Sequence, residues 1–503
     1  MRINYKRLIL AILYILSFFI TVLLPNLFYA KHVMILAILS ISLFPIADKG
    51  CIGSHEINDT LLIATAIGVI EACIGLLDWG CLPLTGTFDN PTLFSMAVSM
   101  SLPALLHFFD SKNKIIRIIV LFCFILMSIA IILSKSRTGI LCMGITFFFL
   151  LKRMFKVNCS HFVGLSTILF VGLLIAMLYV KRSSTTGRSF ILARSIDMIM
   201  DKPMGWGKDG FDKYYMEYQA RFFKQNKDEQ YSYLADDIRH PLNEFVLIAI
   251  NCGITGLLLI LLFIVSFMTW LYKKEIKEKS IIFVFAFILC MWALFAYPTE
   301  LPFVGIFVCV YFMPLVYDTA YSPRQTIFLI MVGLVVTVGT IIDCKFRYDW
   351  EKGVNLCING EYEESLSIMK KIEKYYSNNA DFLYSYASIL YNCALFEEVV
   401  STLLLYKDYK NSYEAELMLA HSYMYMRKFV EAENAYLNAH YMCPVRFVPL
   451  YNLFKIYKQR EDVEGMKEIG SQILSKEIKI YSPDIKIMKH NTRVELQKKL
   501  YQH

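Results

Sequence analysis

Charge is what this chain has least of. Asp, Glu, Lys and Arg make up 19% of its 503 residues, against about 25% in soluble domains. With 56% hydrophobic residues and a mean hydropathy of +0.47, the shortage excludes both a water-soluble globular protein and a disordered one. A polytopic membrane protein remains, because apolar residues in such numbers need lipid as solvent. The 13 cysteines form no CxxC pair and no metal-ligand spacing, and those inside apolar runs (Cys123, Cys142, Cys290, Cys309) read as small apolar side chains. No acidic pair with metal spacing stands out among the spans, so neither a metal nor a cofactor is expected. A removable signal peptide is not expected either. The first apolar run, Leu8 to Ala30, is longer than a signal h-region and lacks a small-x-small cleavage site, and it reads as a first span. Inverted repeats are absent and ionisable residues are few within the spans, which speaks against a transporter. The net charge of +8 fits the usual Lys/Arg surplus of cytoplasmic loops and implies no nucleic-acid partner.

The long apolar runs divide the chain into a membrane domain, 1–345, and an ordinary water-soluble segment, 346–503. About eleven spans of roughly 14–25 residues are expected, near 8–29, 32–47, 60–78, 92–110, 115–134, 138–151, 162–180, 243–270, 280–297, 301–317 and 325–342. If the N-terminus (Arg2, Lys6, Arg7) is cytoplasmic, the even-numbered spans return to the cytoplasm at Lys49, Lys112/Lys114/Arg117, Lys152/Arg153/Lys156, Lys273/Lys274/Lys277/Lys279 and Arg324. Each of these loops is basic, as cytoplasmic loops should be. The large loop 181–242 and the whole C-terminal segment then fall on the outer face. The fold expected is all-α: a polytopic helix bundle followed by a helical solenoid.

The solenoid follows from a period. The phrases GEYEES (Tyr362), ALFEEV (Phe396), RKFVEAE (Phe429) and EDVEGM (Val463) are 34, 33 and 34 residues apart, which is the tetratricopeptide spacing. Ala387, Ala420 and Ala435 supply recurring small positions and Pro444 a repeat end. Each unit of such an array buries its apolar face only by stacking on the next. Its concave face would take a peptide, a partner protein or a glycan carrier, and the repeat itself says nothing about catalysis.

Loop 181–242 is nearly neutral but densely charged, with 11 Lys/Arg and 9 Asp/Glu. It is also rich in aromatics: Phe211, Tyr214, Tyr215, Tyr218, Phe222, Phe223, Tyr231 and Tyr233. Such a mixture suits sugar recognition, yet composition alone favours a solvated loop at the interface, with its rings at the headgroup level. The wording of the segment goes further. GRSFILARSIDMIMDKPMGWGKDGF (Gly187 to Phe211) and HPLNEFVLIAINCGITGLLL (His240 to Leu259) are joined by GTFDNPTLF (Gly86 to Phe94), SKSRTGIL (Ser134 to Leu141) and FAYPTELP (Phe295 to Pro302). In this order they resemble the O-antigen ligase superfamily, which also holds O-linked oligosaccharyltransferases and some O-antigen polymerases. Asp201, Pro203, Gly205, Gly207 and Phe211 match the family's D-x-P-x-G-x-G-x-x-x-F turn. His240, Asn243 and Glu244 match its helix start, and Gly253 and Gly256 its glycines. The resemblance covers roughly residues 60–345. Phe190 or Ile191 stands where relatives often carry Trp, and HPLNEF has one His where many have two.

The resemblance implies a multi-span glycosyltransferase of the GT-C type in a bacterial inner membrane, with its C-terminal domain in the periplasm. Such enzymes move a glycan from an undecaprenyl-pyrophosphate carrier to an acceptor hydroxyl, most simply that of lipid A-core in lipopolysaccharide. The acceptor could also be a protein Ser or Thr, or the growing glycan itself. The donor's leaving diphosphate asks for arginine, whose planar fork bonds phosphate oxygens in pairs and keeps its proton. Arg188 matches the family's arginine. Arg137 breaks the positive-inside trend together with Lys135, which an anionic ligand would explain; snorkelling to headgroups is the alternative. Arg194, six residues from Arg188, falls on another helix face and is a further substrate-binding candidate beside Asn90. His240 is the candidate base. Proline favours a first helical turn, so the span is expected to open near Pro241, with the field of its N-terminus keeping the imidazole neutral. Asn243 and Glu244 are then expected on the face of His240, with Asn243 bonding the ring or a sugar hydroxyl. Glu244 enters the apolar zone and is expected to find a partner, such as Arg239 or a loop arginine. Asp236 and Asp237 read as a solvated loop tip or a cation pair. A metal-independent single displacement with inversion is expected. Arg188 and His240 are thus the expected catalytic residues, and Arg137, Arg194, Asn243, Glu244 and Asn90 the expected substrate-binding ones.

Overall fold

The computed structural model describes residues 54–77, 82–155, 182–225, 229–274, 278–317 and 323–500. Spans expected at 8–29, 32–47 and 162–180 lie outside the described residues. Every regular element among the described residues is helical. The chain divides into two compact units: the first holds residues 1–182, 242–245 and 260–348, the second 183–241, 246–259 and 349–503.

In the first unit, α1 (Ser54–Leu77), α2 (Pro91–Phe109), α3 (Lys114–Leu133) and α4 (Arg137–Phe155) pack with α9 (Lys279–Phe295) and α10 (Pro302–Tyr317). Their ends fall within a few residues of the hydropathy limits. Among the described residues, four helices are long and apolar enough to cross a membrane: Thr60–Leu77, α2, α3 and α8 (Glu244–Lys273). α9 and the apolar part of α10 are shorter, so the count of about eleven is not carried into the structure. α3 turns Ile115, Ile118, Ile119, Phe122, Ile125, Ile129 and Ile132 outward, a face that only lipid or further apolar chain can cover. α2 is the most enclosed. It carries Pro103 inside, which removes one ladder donor. The Tyr311 hydroxyl enters the gap, accepting from the Ala104 amide at 3.1 Å and donating to the Met100 carbonyl at 2.9 Å. Trp292 donates to the Ser99 hydroxyl at 3.0 Å. Polar groups at this depth have no water to fall back on, so such pairings are a condition of the fold.

The bundle has two distinct ends. At one, Arg153 from the last turn of α4 bonds the Asp110 carboxylate at 2.7 Å and the Ser280 hydroxyl at 2.7 Å. At the other, Gly139 in the first turn of α4 lies against Ser95 of α2 with no room for a β-carbon, and the Phe88 and Phe303 rings meet at 5.3 Å. The end of α2, the basic last turn of α4 and the start of α9 are therefore at one end. Asn90, Arg137 and the loop leading into α10 are at the other.

In the second unit, the region read as a loop is folded into α5 (Arg182–Asp201), α6 (Gly210–Gln225) and α7 (Glu229–Leu234). The C-terminal segment follows α11 (Pro323–Ile358) as α12 (Tyr362–Tyr376), α13 (Ala380–Asn392), α14 (Phe396–Lys407), α15 (Tyr413–Tyr425), α16 (Phe429–Met442), α17 (Val448–Gln459), α18 (Val463–Ser475) and α19 (Pro483–Leu500), each packed on the next. The four helices that begin at Tyr362, Phe396, Phe429 and Val463 are entered by the same turn. Gly360, Ala394, Arg427 and Glu461 all have φ between 57° and 88°. The amides of Glu361, Leu395, Lys428 and Asp462 each reach back five residues, to the carbonyls of Leu356, Leu390, Tyr423 and Tyr457, at 2.9–3.0 Å. This is the left-handed closure that satisfies the last carbonyls of a helix.

Residues 183–241 and 349–503 are joined by buried polar bonds. Gln219 of α6, fully buried, donates to the Asp236 carbonyl at 2.9 Å and the Met442 carbonyl at 2.6 Å, and the Asn411 amide donates to the Asp212 carbonyl at 2.9 Å. Both segments must therefore lie on one side of the membrane. A cysteine-labelling or phosphatase-fusion map is expected to place residues 208–224 and 445–475 in the same compartment. Opposite assignments would mean that this packing does not form in the cell.

Candidate active site

The motif turn explains its own glycines. α8 is interrupted at Gly253, with φ 74° and ψ 179°, which deprives the preceding carbonyls of their helical donors. The turn after α5 replaces them. The Trp206 amide donates to the Ile250 carbonyl at 2.8 Å, the Gly207 amide to the Asn251 carbonyl at 3.0 Å, and the Ile254 amide donates back to the Pro203 carbonyl at 2.9 Å. The two backbones touch. A β-carbon on Gly205 would sit 2.5 Å from the Gly253 nitrogen, and one on Gly253 would sit 2.5 Å from the Met204 carbonyl carbon. Gly205 and Gly207 also have φ of 91° and 89°, a region open to glycine at little cost. The Asn251 side chain accepts from the Phe211 amide at 3.2 Å, the Trp206 indole donates to the Met198 carbonyl at 2.9 Å, and Asp201 accepts from the Tyr218 hydroxyl at 2.5 Å. Broken helices are tolerated at membrane depth only where other backbone satisfies the freed groups, as happens here.

His240 stands at the end of the segment leading into α8, 6% exposed. The sequence expectation for this stretch is corrected in two respects. The helix does not open near Pro241. Leu242 takes φ 57°, and Asn243 accepts from the Phe245 amide at 2.9 Å, so the helix starts at Glu244 with Asn243 as its cap. His240 is therefore outside the helix, and Asn243 and Glu244 do not share a helical face with it. The imidazole is still held neutral, but by burial, which pushes its pKa down to about 4. The second correction concerns Glu244, which is buried. Its carboxylate accepts from the Thr299 hydroxyl at 2.5 Å and the Thr299 amide at 3.0 Å, whereas Arg239 lies 3.9 Å from Asp237. The partner is thus the YPTEL loop between α9 and α10, both in the first unit. A charged residue of that depth needs hydrogen bonds, and a hydroxyl plus an amide supply them as an arginine would.

Asp236 and Asp237 are not a solvated tip. Asp236 pairs with Arg446 at 2.8 Å. Asp237 accepts from the Tyr413 amide at 3.5 Å, and burial, reinforced by a hydrogen bond to Glu414, raises its pKa. Arg188 and Arg194 both lie on α5, within the unit that holds His240. The Arg194 guanidinium lies 4.3 Å over the Phe222 ring and 2.8 Å from the Asp197 carboxylate. Phe190 is buried, its ring within 5.0–5.5 Å of those of Phe222, Phe223 and Tyr231. Half of the eight aromatics singled out in this region are spent on such packing: Phe211, Tyr215, Tyr218 and Phe223 are buried. Arg137 is the first residue of α4, half-buried, and Asn90 caps α2 by accepting from the Thr92 amide at 2.8 Å. Both belong to the first unit and stand at one end of its bundle.

Sequence reasoning passed over Asn251, Gln219 and Glu71. Glu71 is fully buried in α1 and accepts from the Thr87 hydroxyl at 2.5 Å, within the GTFDNP fragment. For Glu71 and Asn251 the signal was present, since a carboxylate or amide inside an apolar run is costly unless held; Gln219 lies in a polar helix that gives no such sign. Thr87 and Thr299 thus play the same part for two buried glutamates. Among the described residues no group of three or more His, Cys, Asp or Glu is arranged to hold a metal ion.

No curated protein matches the chain. A family model described as O-Antigen ligase matches residues 122–261, the stretch that contains Arg137, Arg188, the glycine turn, His240 and the break in α8.

Proposed function

We propose that the protein is an integral membrane glycosyltransferase that moves a glycan from an undecaprenyl-pyrophosphate carrier onto an acceptor hydroxyl, with lipid A-core as the acceptor in lipopolysaccharide assembly. The observation that carries this reading is a buried, neutral histidine within the matched stretch, four residues before a helix long and apolar enough to cross a membrane. A neutral imidazole accepts the acceptor's proton as the oxygen attacks the anomeric carbon. The bond from that carbon to the carrier phosphate breaks in the same displacement, and the diphosphate leaves with the electron pair. Arg188 is assigned to that growing charge, because a guanidinium in a poorly solvated place gains most where charge develops. Arg137 and Asn90 are assigned to donor binding. Asn243 and Glu244 set the start of α8 rather than touching substrate, and Arg194 is held by Phe222 and Asp197. The sequence places the membrane domain over 1–345 and the loop and C-terminal helices in the periplasm, the latter as a tetratricopeptide-like array.

The same chemistry with a protein Ser or Thr as acceptor is favoured by one feature, the helical array, whose concave face suits a peptide. Deleting the protein in its host separates the readings. Loss of long lipopolysaccharide bands on a gel is expected for the ligase, whereas loss of a glycoprotein stain would identify the protein acceptor. Uniformly shortened chains would identify a polymerase. Unchanged glycans of every kind would refute glycosyl transfer.

A further inference from the structure

We propose that the C-terminal helices are a clamp on the segment that carries His240, with Gln219, Asp236 and Arg446 as its positioning residues; this rests on the reading of His240 as the base. Residues 235–243 have no helix or strand of their own, so nothing local fixes their path. The path comes from three sides. Gln219 is fully buried, and its single amide group ties α6 to the Asp236 carbonyl and to the Met442 carbonyl at the end of α16. The Asp236 carboxylate takes the Arg446 guanidinium from the turn before α17 at 2.8 Å, and that guanidinium lies 5.8 Å over the Tyr413 ring. Asp237 accepts from the Tyr413 amide at the start of α15. Two consecutive residues are therefore held by the C-terminal helices three and four positions before His240. Three residues of chain span at most about 11 Å, too little to absorb a displacement at Asp237 before it reaches the imidazole.

A second set of bonds shows that the grip is broad. The Asn411 amide donates to the Asp212 carbonyl at 2.9 Å, the Asn411 side chain reaches Glu217 at 3.5 Å, and Lys213 faces Asp408 at 3.9 Å. α6 is bound along its length to the turn between α14 and α15 and to α16. The array thus takes the protein's own α5–α7 region as its ligand along this edge. That accounts for its place in the chain without an outside partner at these turns.

The test uses the full-length protein expressed in the host deletion strain and purified in detergent. Arg446→Glu is expected to raise hydrogen–deuterium exchange over residues 229–240 and to cut glycan transfer at least ten-fold, as a fall in maximal rate rather than in apparent donor affinity. Gln219→Ala is expected to do the same. Asp236→Arg combined with Arg446→Glu reverses the pair, and recovery of both exchange protection and transfer is expected. A merely global loss of stability would not be repaired by this swap. His240→Ala is the control for the underlying reading. If His240→Ala is inactive while Arg446→Glu and Gln219→Ala transfer glycan at the wild-type rate, the clamp is refuted and the base assignment stands. If His240→Ala is active, the base assignment fails, and unchanged exchange in Arg446→Glu would then refute the clamp on its own.

Discussion

Alanine at Gly253 is expected to leave little or no transfer activity and to lower the amount of protein recovered in the membrane. Two costs combine. A residue with a β-carbon pays about 1–2 kcal/mol to hold a left-handed φ, and at 74° there is no nearby relief. The larger cost is steric. The added carbon would stand 2.5 Å from the Met204 carbonyl carbon and 2.7 Å from the Pro203 and Met204 oxygens, all of them backbone that cannot rotate away. Separating the two strands breaks the bonds Trp206–Ile250, Gly207–Asn251 and Ile254–Pro203 together. Each buried polar group left unmatched costs about 1–3 kcal/mol. Gly205→Ala meets the same contact from the other side, 2.5 Å from the Gly253 nitrogen, and should be equally damaging. Gly207→Ala, with open space around its β-carbon, should lose only the φ term and keep measurable activity. The ranking is checked by comparing membrane-fraction yield and glycan transfer across the three variants. Equal tolerance of all three would mean that the turn does not dock on α8.

That contrast shows why part of this molecule is readable from sequence and part is not. Helix ends in the bundle follow hydropathy because lipid imposes a length and a composition, and α2 and α3 begin within a residue of the expected limits. The phrases spaced 33–34 residues apart are each preceded by a left-handed turn, at Gly360, Ala394, Arg427 and Glu461, because the helix before each of them closes its last carbonyls in the same way. The start of α8 was misplaced by general propensity. Proline suits a first turn, but Leu242 at φ 57° and the Asn243 cap postpone the helix to Glu244, and nothing in HPLNEF announces a left-handed leucine. Glu244 and Glu71 illustrate a different limit. The need for a partner is legible from depth, while the partner's identity is a long-range fact; Thr299 and Thr87 are 55 and 16 residues away. The helices of the region read as a loop were hidden for a third reason. Its aromatic residues look like a sugar platform until α16 and the turns around Asn411 and Arg446 are seen to need a surface to pack on.

Burial of His240 has a kinetic consequence that separates it from an ordinary surface histidine. A free imidazole near pKa 6.5 is only about 3% neutral at pH 5, so a mechanism relying on it would lose roughly thirty-fold between pH 7.5 and 5. With the pKa pushed down to about 4 by burial, the basic form still makes up about 90% at pH 5, and transfer should fall less than two-fold over the same interval. The sign follows from the cause. Burial penalises the charged imidazolium, so protons bind only at lower pH, and the acid limb moves down. The same shift makes the folded state give up stability as pH drops from the unfolded value near 6.5 toward 4, since the unfolded chain binds the proton first. His240→Ala is expected to remove transfer by a factor of about 100–10,000, the range associated with loss of a positioned base, with wild-type protein levels. His240→Gln keeps the volume and a hydrogen-bonding end without a titrating nitrogen, and should be as inactive. An acid limb near 6.5 in the wild-type enzyme would place the working base in water rather than at this buried site. Full activity in either variant would remove His240 from the chemistry and leave the turn, the broken helix and the clamped segment as scaffolding for another residue.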